Sequence, residues 1–282
     1  MAYTLSAIDY LTEGADEKFV TSLRETGFGV LKNHPLSQDT VNGIYKNWYD
    51  FFISGDKSGL EFNAKSQDGY FPPEKSETAK GHQARDLKEY FHYYPNGRCP
   101  AYLLDEVQAY YSAANSFAEE LLGWVEKYSP PAISAKYSQP LSGMAKDSPK
   151  TLLRILHYPP LNGEEAPNAI RAGAHEDINL LTILPAANEP GLQVKAKDGS
   201  WIDVPCDFGN LIVNIGDMLQ EASGGYFPST THRVINPKGG DMSKSRISLP
   251  LFLHPHPEVI LSSRHSADSY LNERLRDLGM IS

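Results

Sequence analysis

The chain has 282 residues, 40% hydrophobic and 22% charged, enough for one large domain or two modest ones with a buried core. Its 26 basic and 35 acidic residues give a formal net charge of −9, which repels phosphate backbones and, without a basic stripe, argues against a nucleic-acid partner. No run approaches the roughly 18 apolar residues of a membrane span, no signal peptide opens the chain, and Cys99 and Cys206 stand far apart without metal-ligand spacing, so a soluble cytoplasmic protein is expected.

Ala15 to Thr26 carries Phe19, Val20 and Leu23 on one helical face, and Gly27 ends it. Phe28-Gly29-Val30-Leu31 reads as a short buried strand. Val41, Ile44, Tyr45, Trp48, Phe51 and Phe52 recur at steps of three and four, the period of an amphipathic helix. Asp68-Gly69-Tyr70 reads as a turn, and Pro72-Pro73 opposes helix there. A third helix runs from about Leu104 to Tyr128, with a broad apolar stripe wide enough to back a sheet.

After Thr151 the texture changes to short β-branched or apolar runs separated by Gly, Pro, Asn and Asp. These are Leu152 to Tyr158, Asn179 to Leu184, Gly191 to Val194, Trp201 to Val204, Leu211 to Ile215, Thr231 to Ile235 and Ile247 to Leu253. Asp198-Gly199 is a two-residue hairpin signal, because type I′ turns need positive φ. Short strands at this spacing predict a jelly roll or sandwich, followed by a helix from Ser266 to Leu278. The expected organisation is an N-terminal mixed α/β region (1–100), supporting helices (101–150), a β core (151–257) and a C-terminal helix (258–282).

His175-Glu176-Asp177 follows a small-residue stretch. In extended backbone, residues i and i+2 project to the same side, so His175 and Asp177 point together. One imidazole and one carboxylate supply two ligands of a facial triad, and His232, on a β-reading segment 55 residues beyond Asp177, is the best third. Three ligands on one face leave positions for a chelating co-substrate and dioxygen, whereas a fourth protein ligand would close the site. Arg246 and Ser248 are again i and i+2 on a strand. A guanidinium fork and a hydroxyl can clamp the far carboxylate of a five-carbon 2-oxo diacid, and Tyr158 can add a hydroxyl bond. Each feature alone has a plain structural reading, and their order and spacing carry the inference. His254-Pro255-His256-Pro257-Glu258 also offers His-x-His, but reads as a proline-stiffened exit segment, and His265 as a surface residue. Phe252 reads first as a core ring, with a pocket wall as the second reading.

Leu211 to Gln220, Ser229-Thr230-Thr231-His232-Arg233-Val234 and Arg246-Ile247-Ser248-Leu249-Pro250-Leu251-Phe252 together resemble the isopenicillin N synthase-like branch of the iron(II)/2-oxoglutarate dioxygenases. So do His175-Glu176-Asp177, Leu153 to Pro160, Gly27 to His34, Asp68-Gly69-Tyr70 and Lys88-Glu89-Tyr90-Phe91. The resemblance covers nearly the whole chain, with Ser134 to Lys150 the least informative stretch. It implies a double-stranded β-helix core, mainly β with flanking helices. It implies iron(II) held by His175, Asp177 and His232, and 2-oxoglutarate held by Arg246, Ser248 and Tyr158. The implied reaction consumes dioxygen, yields succinate and carbon dioxide, and oxidises a small-molecule substrate. Leu156 stands where plant members usually carry Asn, and some family members use Arg-x-Ser for a substrate carboxylate without 2-oxoglutarate.

Overall fold

A computed structural model describes residues 5–76, 85–166, 169–187, 189–205, 207–236 and 242–277. In chain order its elements are β1 (Ala7–Asp9), α1 (Ala15–Thr26), β2 (Phe28–Lys32), α2 (Gln38–Ser54), β3 (Gly69–Phe71), β4 (Glu89–Tyr93) and α3 (Leu104–Lys127). There follow α4 (Pro131–Ser134), α5 (Leu141–Ala145), β5 (Leu152–Tyr158), β6 (Ala172–His175), β7 (Leu181–Pro185), β8 (Leu192–Lys195), β9 (Trp201–Asp203) and β10 (Leu211–Ile215). The chain closes with α6 (Asp217–Ala222), β11 (His232–Val234), β12 (Arg246–Ser248), β13 (Leu251–Leu253) and α7 (Ala267–Asp277).

The strands form two sheets. The larger runs β1-β2-β10-β7-β13-β5-β4-β3, with β12 also paired to β5, and the smaller runs β6-β11-β8-β9. Strand alternation sorts the side chains of the larger sheet into two layers. Leu211, Val213 and Ile215 of β10, with Leu153 and Ile155 of β5, join a core shared with α1, α2, α3 and α5. Ile212, Leu156, Tyr158, Leu184, Phe28 and Val30 face the other way and meet Ala172, Leu192, Val194 and Val234 of the smaller sheet. This second cluster is the interior of the double-stranded β-helix. The apolar stripe of α3, including Val107, Ala114, Phe117 and Leu121, is fully or almost fully buried behind the sheet, so the helical layer supports the barrel from outside.

Several expectations change in detail. Gly69 and Tyr70 belong to β3, and the turn lies just before them, where Gln67 N–H donates to Asn63 O at 2.7 Å. Pro73 opens a short 3₁₀ turn (Pro73–Lys75), because a proline at the first helical position gives up no needed N–H. The run from Ile247 to Leu253 is two strands, β12 and β13, divided at Leu249-Pro250. The Asp198-Gly199 hairpin forms between β8 and β9, with Gly199 at φ +87°. The N-terminal strands join the core sheet itself, β2 pairing antiparallel with β10. Helix α7 ends at Asp277 among the described residues; Leu278, Cys206 and Lys238 lie outside them. Cys99 is a free thiol whose pKa burial pushes up to about 12. Among the described residues no helix is long and apolar enough to cross a membrane.

Candidate active site

Strand pairing sets the two imidazoles side by side. His232 on β11 lies directly opposite His175 on β6, and their ring centroids are 4.4 Å apart. Cross-strand partners share a face, so both rings enter the barrel. The Nδ1 atom of His175 donates to Gly173 O at 2.7 Å and that of His232 to Thr230 O at 3.2 Å. With the proton held on Nδ1, each Nε2 keeps its lone pair for a metal.

Asp177 arrives by a different route from the one expected. Strand β6 stops at His175, so the i, i+2 argument does not by itself place the carboxylate. Its backbone is fixed by the start of α6, where Asp217 N–H donates to Asp177 O at 2.7 Å. Gly216, just before that helix, packs so tightly that an added Cβ would lie 2.1 Å from Asn179 O. The carboxylate then divides its oxygens. Oδ2 accepts from Thr182 Oγ1 at 2.6 Å and Asn214 Nδ2 at 2.8 Å. Oδ1 faces the histidines, 3.8 Å from each Nε2. These three residues form a cluster able to hold one ion. The 3.8 Å separations are within the roughly 4 Å that two metal–ligand bonds can span, so the donor set fits.

Charge states agree with ligation. Burial acts to raise the Asp177 carboxyl, but His232, His175 and the bonds from Asn214 and Thr182 outweigh it and hold the group below its usual range. Burial, reinforced by His175, lowers His232. At neutral pH the set is one carboxylate and a neutral imidazole at position 232, the forms a divalent cation takes. Glu176 turns aside and accepts from Thr231.

Thr182 and Asn214 were not singled out from the sequence. They are register partners on β7 and β10, and only that pairing brings both to one carboxylate oxygen. Thr182→Val, nearly isosteric, is expected to weaken metal binding about 10- to 100-fold, the usual cost of losing an outer hydrogen bond to a ligand. Competitive metal titration of the folded variant checks this, and unchanged affinity would contradict the orienting role.

A cavity of ≈ 1350 Å³ opens beside His175 and Asp177. Its wall includes Phe71, Tyr90, Phe252, Arg154 and His254, so Phe252 is a pocket wall. Arg154 lies 4.7 Å from the Tyr90 ring and 5.4 Å from that of Phe252, with Nε donating to His92 Nε2 at 2.8 Å. His254 follows β13 as expected, but it looks into this cavity, and burial lowers its pKa to about 4. His256 is tied to Lys146 O at 2.7 Å. Neither joins the metal-capable cluster. His265 is packed edge-on to Tyr270 and is largely covered, with 14% of its side chain exposed.

Arg246, Ser248 and Tyr158 lie deeper, each 2–3% exposed. Arg246 pairs in register with Tyr158 and Ser248 with Leu156, so the four share an inward face. The Arg246 guanidinium carbon is 5.2 Å from the Tyr158 ring, and Nε donates to Glu189 O at 3.0 Å. Arg246 Nη1 is buried with no partner among the described residues. A guanidinium held this way has a donor in reserve for an anion.

Together these features make a double-stranded β-helix protein with a His-Asp-His cluster arranged like a facial triad. The 2OG-Fe(II) oxygenase superfamily profile matches residues 149–255. A crystal structure of a candidate oxygenase from Shewanella oneidensis is 60% identical, covers 99% of this chain and 100% of its own, and superposes with a TM-score of 0.90. A 2OG-Fe(II) oxygenase family protein from Caulobacter crescentus is 28% identical over 98% of this chain and 100% of its own, with a TM-score of 0.81. The 2-oxoglutarate-dependent dioxygenase 11 of Oryza sativa subsp. japonica is 31% identical over 84% of this chain, and the match spans 65% of the rice protein. The chain belongs to the 2OG-Fe(II) oxygenase superfamily, which is named for its use of 2-oxoglutarate and iron(II).

Proposed function

We propose that this protein is a non-haem iron(II) oxygenase that couples oxidative decarboxylation of 2-oxoglutarate, to succinate and carbon dioxide, to oxidation of a small organic molecule. The observation that carries the proposal is the division of labour around Asp177. Oδ2 and both imidazole Nδ1 atoms are spent on protein partners, and Oδ1 and the two Nε2 atoms remain turned toward one point. In this reading His175, Asp177 and His232 hold the metal. Arg246, Ser248 and Tyr158 hold the far carboxylate of 2-oxoglutarate. When bound, iron(II) supplies the redox chemistry that joins dioxygen reduction to decarboxylation and substrate oxidation.

The chain's own residues bind, orient and exclude. The Thr182 and Asn214 bonds keep the Asp177 carboxylate from rotating. Phe28 packs edge-on to His232 at 5.6 Å and shields it from water. The aromatic and cationic wall of Phe71, Tyr90, Arg154 and Phe252 surrounds a volume suited to a small molecule. The catalytic part corresponds to 151–257, supported by the profile match at 149–255. Location in the cytoplasm and absence of a nucleic-acid partner belong to the same reading. Their support is the free Cys99 thiol and the net charge of −9.

The test is turnover. Anaerobically purified protein given iron(II), 2-oxoglutarate and air, with a panel of small organic acids and heterocycles, should form succinate in proportion to oxygen consumed. Omitting iron(II) or 2-oxoglutarate should stop it. Substrate-dependent oxygen uptake that ignores 2-oxoglutarate would replace this reading with an oxidase of the isopenicillin N synthase type. Leu156 opposite Ser248, an apolar residue in the 2-oxo acid pocket, is what keeps that alternative open.

A further inference from the structure

Two guanidiniums, not one, converge on Tyr158. Arg246 stands 5.2 Å from the ring centroid and Arg171 stands 6.0 Å from it. They are 2% and 1% exposed, so both positive charges are withdrawn from water. Arg171 immediately precedes β6, four residues before His175. Its backbone N–H donates to Asn236 Oδ1 at 3.1 Å, and its Nη2 donates to Lys244 O at 3.1 Å.

The partners of both guanidiniums are neutral carbonyls. One nitrogen on each, Arg171 Nε and Arg246 Nη1, is buried with no hydrogen-bond partner among the described residues. Glu189, the acid whose charge reaches Arg171, is 3.8 Å from Lys244. Burial, and then the like charge of Arg246, push the Arg171 guanidinium below its ordinary value. Two desolvated like charges cost free energy until an anion joins them. A carboxylate matches the planar fork of each.

We propose that Arg171 is a second guanidinium contact for the far carboxylate of 2-oxoglutarate, sharing that group with Arg246 beside the Tyr158 ring. This rests on the 2-oxoglutarate reading given above. An arginine just before the strand of His175 thereby ties co-substrate recognition to the edge of the smaller sheet, while Arg246, on β12, ties it to the larger. Anchoring from both sheets selects a diacid over a 2-oxo acid with an uncharged tail.

Calorimetric binding to the iron(II)-loaded protein under argon tests it, with 2-oxoglutarate and 2-oxopentanoate as probes; the second has the same chain length but no far carboxylate. Arg171→Met should weaken 2-oxoglutarate about 10- to 100-fold and change 2-oxopentanoate by no more than about twofold, as loss of a charge-assisted bond to one group predicts. Arg171→Lys should recover part of the loss. The ligand-free Arg171→Met protein should melt no lower than wild type, because one of two repelling buried charges is gone. If Arg171→Met does not fold, Arg171→Gln keeps a donor for the Lys244 carbonyl and carries the same expectation. Equal weakening of both probes would mark a structural role and overturn the proposal. Wild-type 2-oxoglutarate affinity in Arg171→Met, alongside weakening in Arg246→Met, would overturn it while leaving the co-substrate assignment standing. Wild-type affinity in both variants would end the co-substrate assignment, and the proposal with it.

Discussion

His175→Ala is expected to lower iron(II) affinity by roughly a thousandfold or more, well beyond the 10- to 100-fold cost of losing an outer partner, and to reduce turnover to background. The variant isolates ligation from folding. With 41% of its side chain exposed, His175 makes one protein hydrogen bond among the described residues, from Nδ1 to Gly173 O, so truncation releases a single backbone carbonyl, and the melting temperature should stay close to wild type. Two remaining donors cannot hold the ion against water. Asp177→Ala should be as inactive and also less stable, by about 1–3 kcal/mol, because the buried donors Thr182 Oγ1 and Asn214 Nδ2 lose their acceptor. Metal titration with parallel thermal melts checks both. Full turnover in either variant would remove that residue from the ligand set.

Arg246→Ala is expected to raise the 2-oxoglutarate KM by about a hundredfold or more, since truncating one partner of a buried charge pair costs roughly 2–5 kcal/mol. At saturating 2-oxoglutarate much of kcat should return, because the far carboxylate is remote from the bonds that change and its anchor supplies binding. Ser248, two residues along the same inward face, should give a smaller effect as Ala, consistent with a neutral hydroxyl donor. An unchanged KM in Arg246→Ala would show that the carboxylate binds elsewhere.

The parts of the site legible in the sequence were those fixed by local pattern. His232 and His175 sit at the ends of short β-reading segments, and a jelly roll returns such segments beside each other. Asp177 lies in the cluster with His175 and His232, but its position depends on the α6 start and on two side chains from other strands. Helix α6 itself was not anticipated, because Asp217 to Ala222 is a single short turn inside a strand-like stretch. Thr182 and Asn214 could not be read locally, since their meeting depends on the β7–β10 register. Arg171 was hidden for a similar reason: a charged residue before a run of small ones reads as loop until the fold buries it against Tyr158. The amphipathic helices were legible because period and burial coincide along α2 and α3. The membership of β1 to β4 in the core sheet was not, because their pairings span long stretches of chain.

The central claim is that one ion is held by three side chains and stays open to a 2-oxo acid. Crystals soaked anaerobically with iron(II) and 2-oxoglutarate test it directly. The account predicts density for the ion at the Nε2 atoms of His175 and His232 and at Asp177 Oδ1, with the 2-oxo acid chelating it and its far carboxylate at Arg246. An ion bound away from these three atoms, or closed off by a fourth protein ligand, would contradict it.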